Sequence, residues 1–556
     1  MNKKWFKNSV IYQIYPRSFQ DSNHDGIGDL NGIKSRLDYL QKLGVDVLWL
    51  NPIYQSPDKD NGYDIANYEA IQPVYGSMQD FDSLLAAVHA RGMKLLMDLV
   101  VNHTSDQHAW FQASKQSRSN PYADYYIWRD PVDGHEPNNW GSYFSGSAWT
   151  FVPERGQYYL HLFAPGQPDL NWENPTVRQS VYQLMRFWLD KGVNGFRMDV
   201  INLISKPAGL PDAPQPDGAT YGDVESLVSD GPRLNEFLQE MNREVLSRYD
   251  IMTVGEMPGS TPADATHYTN LNGDELNMVF QFEHVSLSPN PDARFGKWND
   301  APIKLVELKQ ALGRWQVALD GKGWNSLYWN NHDQPRAVSR FATDRPKYRV
   351  QAAKMLGTTL HMLQGTPYIF EGEEIGMTNV HFQHLDQYED LESLNAYRQF
   401  VTTQHTVAPA TMLNWMSNIS RDNARTPMQW DNQPYAGFSD TTPWFAVNPN
   451  YPQINVANAL ADMNSIFYYY QKLITLRHQS NLIILGNFEL LDADDVAVFA
   501  YKRHYQDQTL LVISNFTDTF LSRHYSKPKT AKKIIANYPN DLSDQLRPYE
   551  TKVYQY

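Results

Sequence analysis

The sequence predicts an α/β fold, namely a (β/α)8 TIM barrel with an inserted subdomain after the third strand and a C-terminal antiparallel β domain. Three observations support this prediction. Short β-rich segments alternate with helical ones over most of the chain, aromatic and polar segments interrupt that alternation, and the tail contains short strands between polar turns. A chain of 556 residues is also too long for one ordinary core, so two or three domains are expected.

The barrel strands are predicted from short β-rich, largely apolar runs and from the helical spacing between them. Helical periodicity covers residues 33–43 and 81–90. The segment 94–101 is almost continuously apolar, which is typical of a parallel strand buried on both faces. Alternation of this kind favours a parallel sheet closed as a barrel. The eight strand candidates are residues 10–15, 45–50, 94–101, 195–200, 251–255, 278–282, 326–329 and 367–370.

The interruptions of the alternation set the predicted domain boundaries. Residues 104–174 are rich in Trp, Tyr, Gly, Asn and Pro and lack helical periodicity, so they form the predicted inserted subdomain. Residues 377–430 form a long excursion after the eighth strand. The barrel is therefore assigned to residues 1–103 and 175–480, and the C-terminal β domain to residues 481–556.

Composition excludes several classes of function. There is no cysteine, which rules out disulfides, thiolate nucleophiles and cysteine-based zinc sites. The formal net charge of −14 argues against nucleic acid as a partner, since phosphate binding usually needs a basic surface. No apolar run approaches the ~18 residues of a membrane span, so no membrane partner is expected. No signal peptide is evident either, and we expect a cytoplasmic monomer.

Three acidic residues follow predicted barrel strands at the ends where barrel enzymes place their catalytic groups. Asp199 ends the fourth strand, Glu256 the fifth and Asp333 the seventh. Cleavage of a glycosidic bond needs a carboxylate and a carboxylic acid on either side of that bond. One such acid alone is better explained as a helix cap or an arginine partner, but three in this pattern favour a catalytic site.

The segments around these acids resemble the α-amylase family of glycoside hydrolases. Residues 98–103 (DLVVNH), 195–199 (GFRMD), 255–256 (GE) and 331–333 (NHD) resemble its four motifs in order and spacing. Residues 167–171 (QPDLN) resemble a fifth motif of the oligo-1,6-glucosidase branch, which adds Gln167 to the candidate substrate-binding residues. The resemblance extends over almost the whole chain, and it implies binding of a small oligosaccharide.

The resemblance implies a role for each acid. Asp199 is the expected nucleophile, Glu256 the acid and then base, and Asp333 the group that stabilises the transition state through the sugar hydroxyls. Arg197 lies two residues before Asp199 on the same strand face, where it can lower the pKa of that carboxyl. Two displacements at one carbon retain its configuration, and they require carboxyl groups roughly 5–5.5 Å apart.

The same resemblance implies a glucose pocket. His103 and His332 are expected to bind sugar hydroxyls, and Tyr63 to stack on the ring. Asp64 is expected to bind the non-reducing end and to pair with Arg425, closing the pocket so that glucose is removed one unit at a time. A surface position for Arg425 is the alternative. Zinc is disfavoured, since neither histidine belongs to a zinc-binding pattern.

A loop near the start of the chain has the spacing of a calcium site. Oxygen-bearing residues stand at alternate positions and Gly26 is sixth, as in the opening of an EF-hand loop. Gly32 takes the twelfth position in place of glutamate, so the pattern is incomplete, and an Asx-rich turn without metal is the alternative. The oligo-1,6-glucosidase branch carries a similar loop, which implies structural calcium. The predicted ligands are Asp21, Asn23, Asp25, the carbonyl of Ile27, and Asp29.

Specificity is predicted from residues around the catalytic acids. Val200 resembles the valine that accompanies α-1,6 bonds in this branch, and residues 257–259 (MPG) and 330–331 (NN) agree with it. The sequence thus predicts a retaining, exo-acting α-glucosidase for isomaltose and short isomalto-oligosaccharides.

Three alternatives to this function stay open. They are a trehalose-6-phosphate hydrolase, mildly disfavoured by the negative charge, a broad α-glucosidase or sucrose-active transglucosidase, and a non-catalytic transporter ectodomain. The charged loop of sucrose isomerases is not evident in residues 341–345 (FATDR). The ectodomain is disfavoured because all three acids are present.

Overall fold

A barrel of eight parallel strands forms the centre of the molecule, in a computed structural model that describes residues 4–556. Strands adjacent in chain order pair with each other except for the sixth and seventh, and the first also pairs with the eighth. A parallel bridge between Val279 and Asn325 joins the sixth strand to the start of the seventh and closes the sheet. All eight predicted strands are confirmed, as Ile11–Ile14, Val47–Leu50, Lys94–Val100, Gly195–Asp199, Met252–Glu256, Met278–Phe280, Ser326–Leu327 and Thr366–Phe370.

Helices surround the barrel, and local capping explains where several of them begin. Ser77 and Asp80 form a capping box at Met78–Ala90. The predicted helix over 33–43 is two helices, Leu30–Ser35 and Leu37–Leu43, which are separated at Arg36. Other helices are Pro16–Phe19, Pro175–Asp190, Glu225–Val228, Leu234–Glu244, Pro262–Tyr268, Leu305–Leu319, Ala337–Phe341, Arg349–His361, Leu391–Tyr397, Pro409–Ile419, Asp422–Arg425, Val456–Ala461, Ile466–Gln479 and Asn481–Leu485. No helix in the described part of the chain is long and apolar enough to span a membrane.

Short one-turn helices lie in the connections. Ile201–Leu203 directly follows the fourth barrel strand and Glu373–Ile375 follows the eighth, so both lie at the carboxyl end of the barrel. The other 3₁₀ segments are Trp5–Lys7, Pro73–Tyr75, Leu246–Arg248, Ala293–Phe295, Leu385–Gln387 and Pro434–Gly437, and Arg398–Thr403 is a π-helix.

The insertion after the third barrel strand contains a small antiparallel sheet. Gln157–Leu160 is its central strand, between Trp128–Arg129 and Trp149–Val152. A helix, Ala109–Ser114, was not expected here, because a segment of six residues is too short to display helical periodicity. A further pair, Tyr54–Gln55 and Asn67–Ile71, lies after the second barrel strand.

The C-terminal part is an antiparallel sheet that shares its core with the barrel. Its five strands are Asn487–Leu491, Val498–Tyr505, Gln508–Asn515, Thr551–Gln555 and Lys532–Ala536 in spatial order, and Leu521–Ser522 pairs with Gln545–Leu546 beside it. Tyr501, Val512 and Val553 belong to the same buried cluster as the barrel helices. Lys309 of helix Leu305–Leu319 donates to the carbonyls of Asp492 and Asp495, 2.8 and 2.6 Å away, which fixes the two parts together.

The loop with calcium-like spacing is held by its own hydrogen bonds and by Ser439, which donates to the Asp21 carboxylate at 2.6 Å. The Asp21 carboxylate accepts from the main-chain N–H groups of Asn23, His24 and Gly26. Asp29 accepts from Gly32 and caps helix Leu30–Ser35. Among residues 4–556, no cluster of three or more His, Asp and Glu side chains is arranged to hold a metal ion.

Candidate active site

A pocket of about 210 Å³ opens at the carboxyl end of the barrel and contains the three predicted catalytic acids. Asp199 and Glu256 are the last residues of the fourth and fifth strands, which pair in register, so their side chains reach the same region. Asp333 follows the seventh strand. Aromatic side chains form much of the remaining wall, namely Tyr63, Tyr143, Phe144, Phe163 and Phe282.

Arg197 organises the acids at the base of the pocket. Its Nη1 lies 2.5 Å from Asp98 Oδ1 and 2.7 Å from Asp199 Oδ1, and its Nη2 lies 2.5 Å from Glu256 Oε2. Bridging by one guanidinium keeps the Asp199 and Glu256 carboxyl groups close together on one side of the pocket. No donor in the described part of the chain contacts Asp199 Oδ2 or Glu256 Oε1, so each acid keeps one oxygen for a substrate.

The pKa of both bridged acids is raised. Burial raises the pKa of Asp199 to about 7, although Arg197 acts in the opposite direction. Burial likewise raises the pKa of Glu256 to about 7, against the same lowering effect of Arg197. Arg197 thus lowers the pKa of Asp199 as expected, but desolvation outweighs the guanidinium and the net shift is upward. Two interacting acids of this kind titrate as a pair that holds one proton near neutral pH.

Asp333 lies in the opposite electrostatic environment. Its Oδ1 accepts from Arg425 Nη2 at 2.6 Å and from Arg421 Nη1 at 3.3 Å, and its Oδ2 lies 3.2 Å from His332 Nε2. Burial alone would raise the pKa of Asp333, but His332, when its ring is protonated at low pH, and the permanently charged Arg421 and Arg425 lower it. Asp333 is thus ionised over the whole neutral range, which suits a group that stabilises positive charge.

Val200 connects the nucleophile position to the acid. Its φ of 34° lies in the left-handed region, which a β-branched residue adopts only at a cost. This conformation allows the Val200 N–H to donate to Glu256 Oε2 at 3.1 Å, and the Val200 side chain lines the pocket. The strained backbone of Val200 therefore directly follows Asp199 and also contacts Glu256, the two acids whose positions matter most for the reaction.

The predicted sugar-binding residues also meet in this pocket. The ring of Tyr63 stacks on His332 with centroids 5.2 Å apart and planes 10° apart. His103 Nε2 lies 3.1 Å from the carbonyl oxygen of Tyr63 and 3.3 Å from Gln167 Nε2. Burial lowers the pKa of His332 to about 3, which keeps its ring neutral. The arrangement provides hydrogen-bonding groups and an aromatic face for a sugar ring.

Comparison with known proteins agrees with this geometry. The family model of the alpha-amylase catalytic domain matches residues 13–486. The chain belongs to the alpha-amylase family of glycoside hydrolases. It is 56% identical over 553 residues to an alpha-glucosidase of Pediococcus pentosaceus (99% of each chain) and 55% identical over 563 residues to an oligo-1,6-glucosidase of Halalkalibacterium halodurans (100% of this chain, 99% of that one). A trehalose-6-phosphate hydrolase structure from Bacillus licheniformis superimposes with a TM-score of 0.93 at 47% identity, covering 100% of both chains.

Two predicted pocket residues, Asp64 and Arg425, make contacts that differ from those expected. Asp64 is fully buried outside the pocket, where its carboxylate accepts from Ser56 and from the main chain of Lys59 and Asp60. Arg425 does not pair with Asp64 but contacts Asp333. The tight turn that contains Gly62 orients Asp64 toward its own loop, so the predicted Asp64–Arg425 pair does not form.

Asp60 and Arg421 occupy the positions that had been assigned to Asp64 and Arg425. Asp60 lines the pocket, where its Oδ2 accepts from Gln167 Nε2 at 3.1 Å and its Oδ1 lies 3.5 Å from Arg421 Nη2. Arg421 also binds the buried Asp390 at 2.6 Å. Each of these residues lies four positions before the predicted one. Residues four apart lie on the same face of a helix, so the sequence alone could not show which of the two arginines binds in the pocket.

The sequence analysis missed two further pocket residues, one in the long excursion after the eighth strand and one between the sixth and seventh strands. Glu392 and Lys297 line the pocket and pair with each other at 2.6 Å. They lie almost a hundred residues apart and belong to none of the motifs, so no local signal could have identified them.

Proposed function

We propose that this chain is a retaining, exo-acting α-glucosidase that hydrolyses the α-1,6 bonds of isomaltose and short isomalto-oligosaccharides. The observation that carries the proposal is the contact of Asp60 with Arg421 in the wall of the pocket, from which we infer an end closed behind one glucose ring. The names of the similar alpha-glucosidase and oligo-1,6-glucosidase support the same substrate class.

The reaction follows from the free oxygens of the bridged acids. Asp199 Oδ2 attacks the anomeric carbon while Glu256 Oε1 donates a proton to the leaving oxygen, which gives a glucosyl ester and the shortened sugar. Glu256, now a carboxylate, takes a proton from water, and this water cleaves the ester with net retention. Asp333 stabilises the positive charge that develops on the sugar ring in both steps.

The charges that line the pocket favour a neutral substrate. Five lining residues are acidic, namely Asp60, Asp199, Glu256, Asp333 and Glu392, whereas only Lys297 and Arg421 are basic. Both basic side chains already contact carboxylates. A phosphorylated sugar would therefore meet an excess of negative charge, which argues against trehalose 6-phosphate as the preferred substrate.

The experiment that tests this function compares glucose release from four substrates by one enzyme preparation. We expect the highest kcat/KM for isomaltose, ahead of maltose, sucrose and trehalose 6-phosphate, with Asp199→Asn as the blank. A higher kcat/KM for trehalose 6-phosphate would refute the argument from pocket charge. A higher value for sucrose or maltose would replace the α-1,6 preference by one of the other activities.

We also propose that the loop with alternating oxygen groups binds calcium as a structural ion. Asp21, Asp25 and Asp29 with Asn23 and the Ile27 carbonyl supply only oxygen ligands, as a hard cation requires. The exposed oxygens of Asn23 and Asp25 are accessible to such an ion. Calcium is expected to raise the Tm of the protein over that in a chelator, and Asp25→Ala is expected to abolish the difference. An equal Tm of the wild-type protein in calcium and in chelator would refute the proposed calcium site.

A monomeric cytoplasmic enzyme is part of the same proposal. Light scattering after gel filtration is expected to give the mass of one chain of 64.1 kDa, and cell fractionation to give activity in the cytosol. A dimeric mass would contradict the monomer, and activity outside the cytosol would contradict the cytoplasmic location.

A further inference from the structure

Arg336 is a buried cation that lies behind the active site and not in it. It follows Asp333 by three residues, is 1% exposed, and does not line the pocket. Its guanidinium group makes no ion pair in the described part of the chain, although most of the other buried arginines near the site are paired with carboxylates. A buried guanidinium without a carboxylate contact needs another explanation.

All three nitrogens of the Arg336 guanidinium donate to main-chain carbonyls. Nη1 donates to Glu371 at 2.5 Å, Nε to Asn423 at 3.2 Å and Nη2 to Ala424 at 2.9 Å. Glu371 directly follows the eighth barrel strand, whereas Asn423 and Ala424 lie in the short helix Asp422–Arg425 of the long excursion. Arg336 thus joins the segment after the seventh strand to two segments that are distant in sequence.

The helix held by Arg336 carries one of the two arginines that bind Asp333, and the other immediately precedes it. Arg421 is the N-cap residue of this helix and Arg425 is its last residue, and both donate to Asp333 Oδ1. A closed chain of contacts results, which runs from Asp333 through three residues to Arg336, across to Ala424, and back through Arg425. Arg336 is therefore linked to Asp333 in two ways, along the main chain and through the helix whose Arg425 binds the Asp333 carboxylate.

We propose that Arg336 is a positioning residue for the reaction, because it sets the place of Arg421 and Arg425 relative to Asp333. The inference rests on the proposed function, since it assigns Arg336 to the site that would hold the glucosyl group. Lysine is not equivalent to arginine here, because one ammonium group cannot reproduce a planar guanidinium whose three nitrogens each donate to a different carbonyl.

The position of Arg336 predicts a specific kinetic signature. Loss of the helix position displaces the Asp333 carboxylate and its two arginines, whose contacts with the sugar are strongest in the transition state. A misplacement of about 1 Å can cost about 100-fold in rate. For Arg336→Lys we therefore expect kcat and kcat/KM to fall together by about 100-fold with KM little changed.

Arg349 supplies a matched control for a merely structural role. Its Nη1 also donates to two carbonyls after the eighth strand, those of Ile375 and Gly376, at 2.9 and 2.8 Å. It has no contact with the helix that carries Arg425. Arg349→Lys is therefore expected to lower the Tm while leaving kcat/KM within about three-fold of the wild-type value.

The test compares isomaltose kinetics, Tm and inhibition by a positively charged glucose mimic in wild type, Arg336→Lys and Arg349→Lys. In Arg336→Lys the inhibition constant is expected to rise in proportion to the loss in kcat/KM. Equal kinetic losses in both variants, or an unchanged kcat in a folded Arg336→Lys, would overturn the inference. A wild-type enzyme that is inactive on all four sugars would instead refute the proposed function.

Asn379→Ala keeps the inference testable if Arg336→Lys does not fold. The Asn379 side chain accepts from the main-chain N–H of Arg336 at 2.9 Å and donates to Asn418 at 3.1 Å, so it anchors the same contacts more weakly. We expect a smaller fall in kcat, about ten-fold, again with KM little changed. An unchanged kcat in this variant would also contradict the positioning role.

Discussion

A single buried guanidinium, that of Arg197, contacts the buried carboxylates of Asp98, Asp199 and Glu256. One positive charge among three acids favours protonation of one of them, because full ionisation of all three would leave two buried negative charges uncompensated. Burial then places the pKa of Asp199 and of Glu256 at about 7. The two acids can therefore divide the roles of nucleophile and proton donor near neutral pH.

The titration of this pair predicts a bell-shaped dependence of kcat/KM on pH. Activity falls on the acid side as the pair takes up a second proton and Asp199 is no longer ionised. It falls on the alkaline side as Glu256 loses its proton, so the maximum is expected near pH 7. Glu256→Gln with an aryl glucoside, which needs no proton at the leaving oxygen, is expected to lose the alkaline limb. An alkaline limb that persists in this variant would mean that another group is the acid.

Removal of the nucleophile is expected to abolish turnover without loss of the fold. Asp199→Asn keeps a hydrogen-bonding oxygen beside Arg197 but cannot form the glucosyl ester. We expect kcat to fall by several orders of magnitude while the circular dichroism spectrum and Tm stay close to wild type. Turnover near the wild-type rate would refute the assignment of Asp199.

A comparison of two variants distinguishes the roles of Asp60 and Asp64. Asp60→Asn weakens the contact with Arg421 in the pocket, so we expect kcat/KM for isomaltose to fall by about 10–100-fold. Asp64→Asn changes a carboxylate that binds only its own loop. We expect this variant to have a lower Tm than wild type but a kcat/KM at least ten-fold higher than that of Asp60→Asn. Steady-state kinetics of both variants decide the matter, and the reverse ranking would restore the original assignment of Asp64.

The barrel strands were predictable from the sequence because each is a short, largely apolar run, and the third, fourth, fifth and seventh end in a recognisable polar motif. Residues 94–101 illustrate this, since the buried strand Lys94–Val100 leads directly to His103. The excursion after the eighth strand was not predictable in the same way. Glu392 and Arg421 reach the pocket through long-range packing, and neither helical spacing nor a motif determines which of two nearby arginines faces it.

The pairing of the fourth and fifth strands depends on a glycine. Gly195 has a φ of 138°, and a Cβ there would lie 1.8 Å from the carbonyl oxygen of Met252 on the fifth strand. Gly195→Ala is expected to lower the free energy of unfolding by ~3 kcal/mol or more, because both strand pairing and φ are disturbed.

Gly192→Ala is the control for this prediction. Gly192 also has a positive φ, 106°, but its Cβ would meet only side-chain atoms at 3.7 Å. Chemical denaturation of both variants is expected to give a clearly smaller loss for Gly192→Ala, and equal losses would show that the contact with Met252 is unimportant.

At the scale of the whole molecule, the barrel and the C-terminal sheet share one hydrophobic core. Tyr501 donates to the carbonyl of Thr359 at 2.7 Å, and Arg503 binds the carbonyls of Met362 and Gly486, so buried polar contacts cross the same boundary. Two parts joined in this way stabilise each other and are not independent folding units.

Calorimetry is therefore expected to record one cooperative unfolding transition for the complete chain. Tyr501→Phe removes a buried hydrogen bond between the two parts and is expected to lower the single Tm without splitting the transition. Two resolved transitions in the wild-type protein would mean that the C-terminal sheet unfolds by itself.

The contact between Asp60 and Arg421 has a consequence for mixtures of long and short substrates. Under the proposed function, in which this contact closes the pocket behind one glucose ring, a polymer enters only by its terminus, and each encounter yields one sugar whatever the length of the chain. The enzyme then responds to the number of termini in solution and not to the mass of carbohydrate. At equal weight, short oligosaccharides are consumed much faster than a long dextran, and enzymes that cut chains internally increase the supply of usable ends.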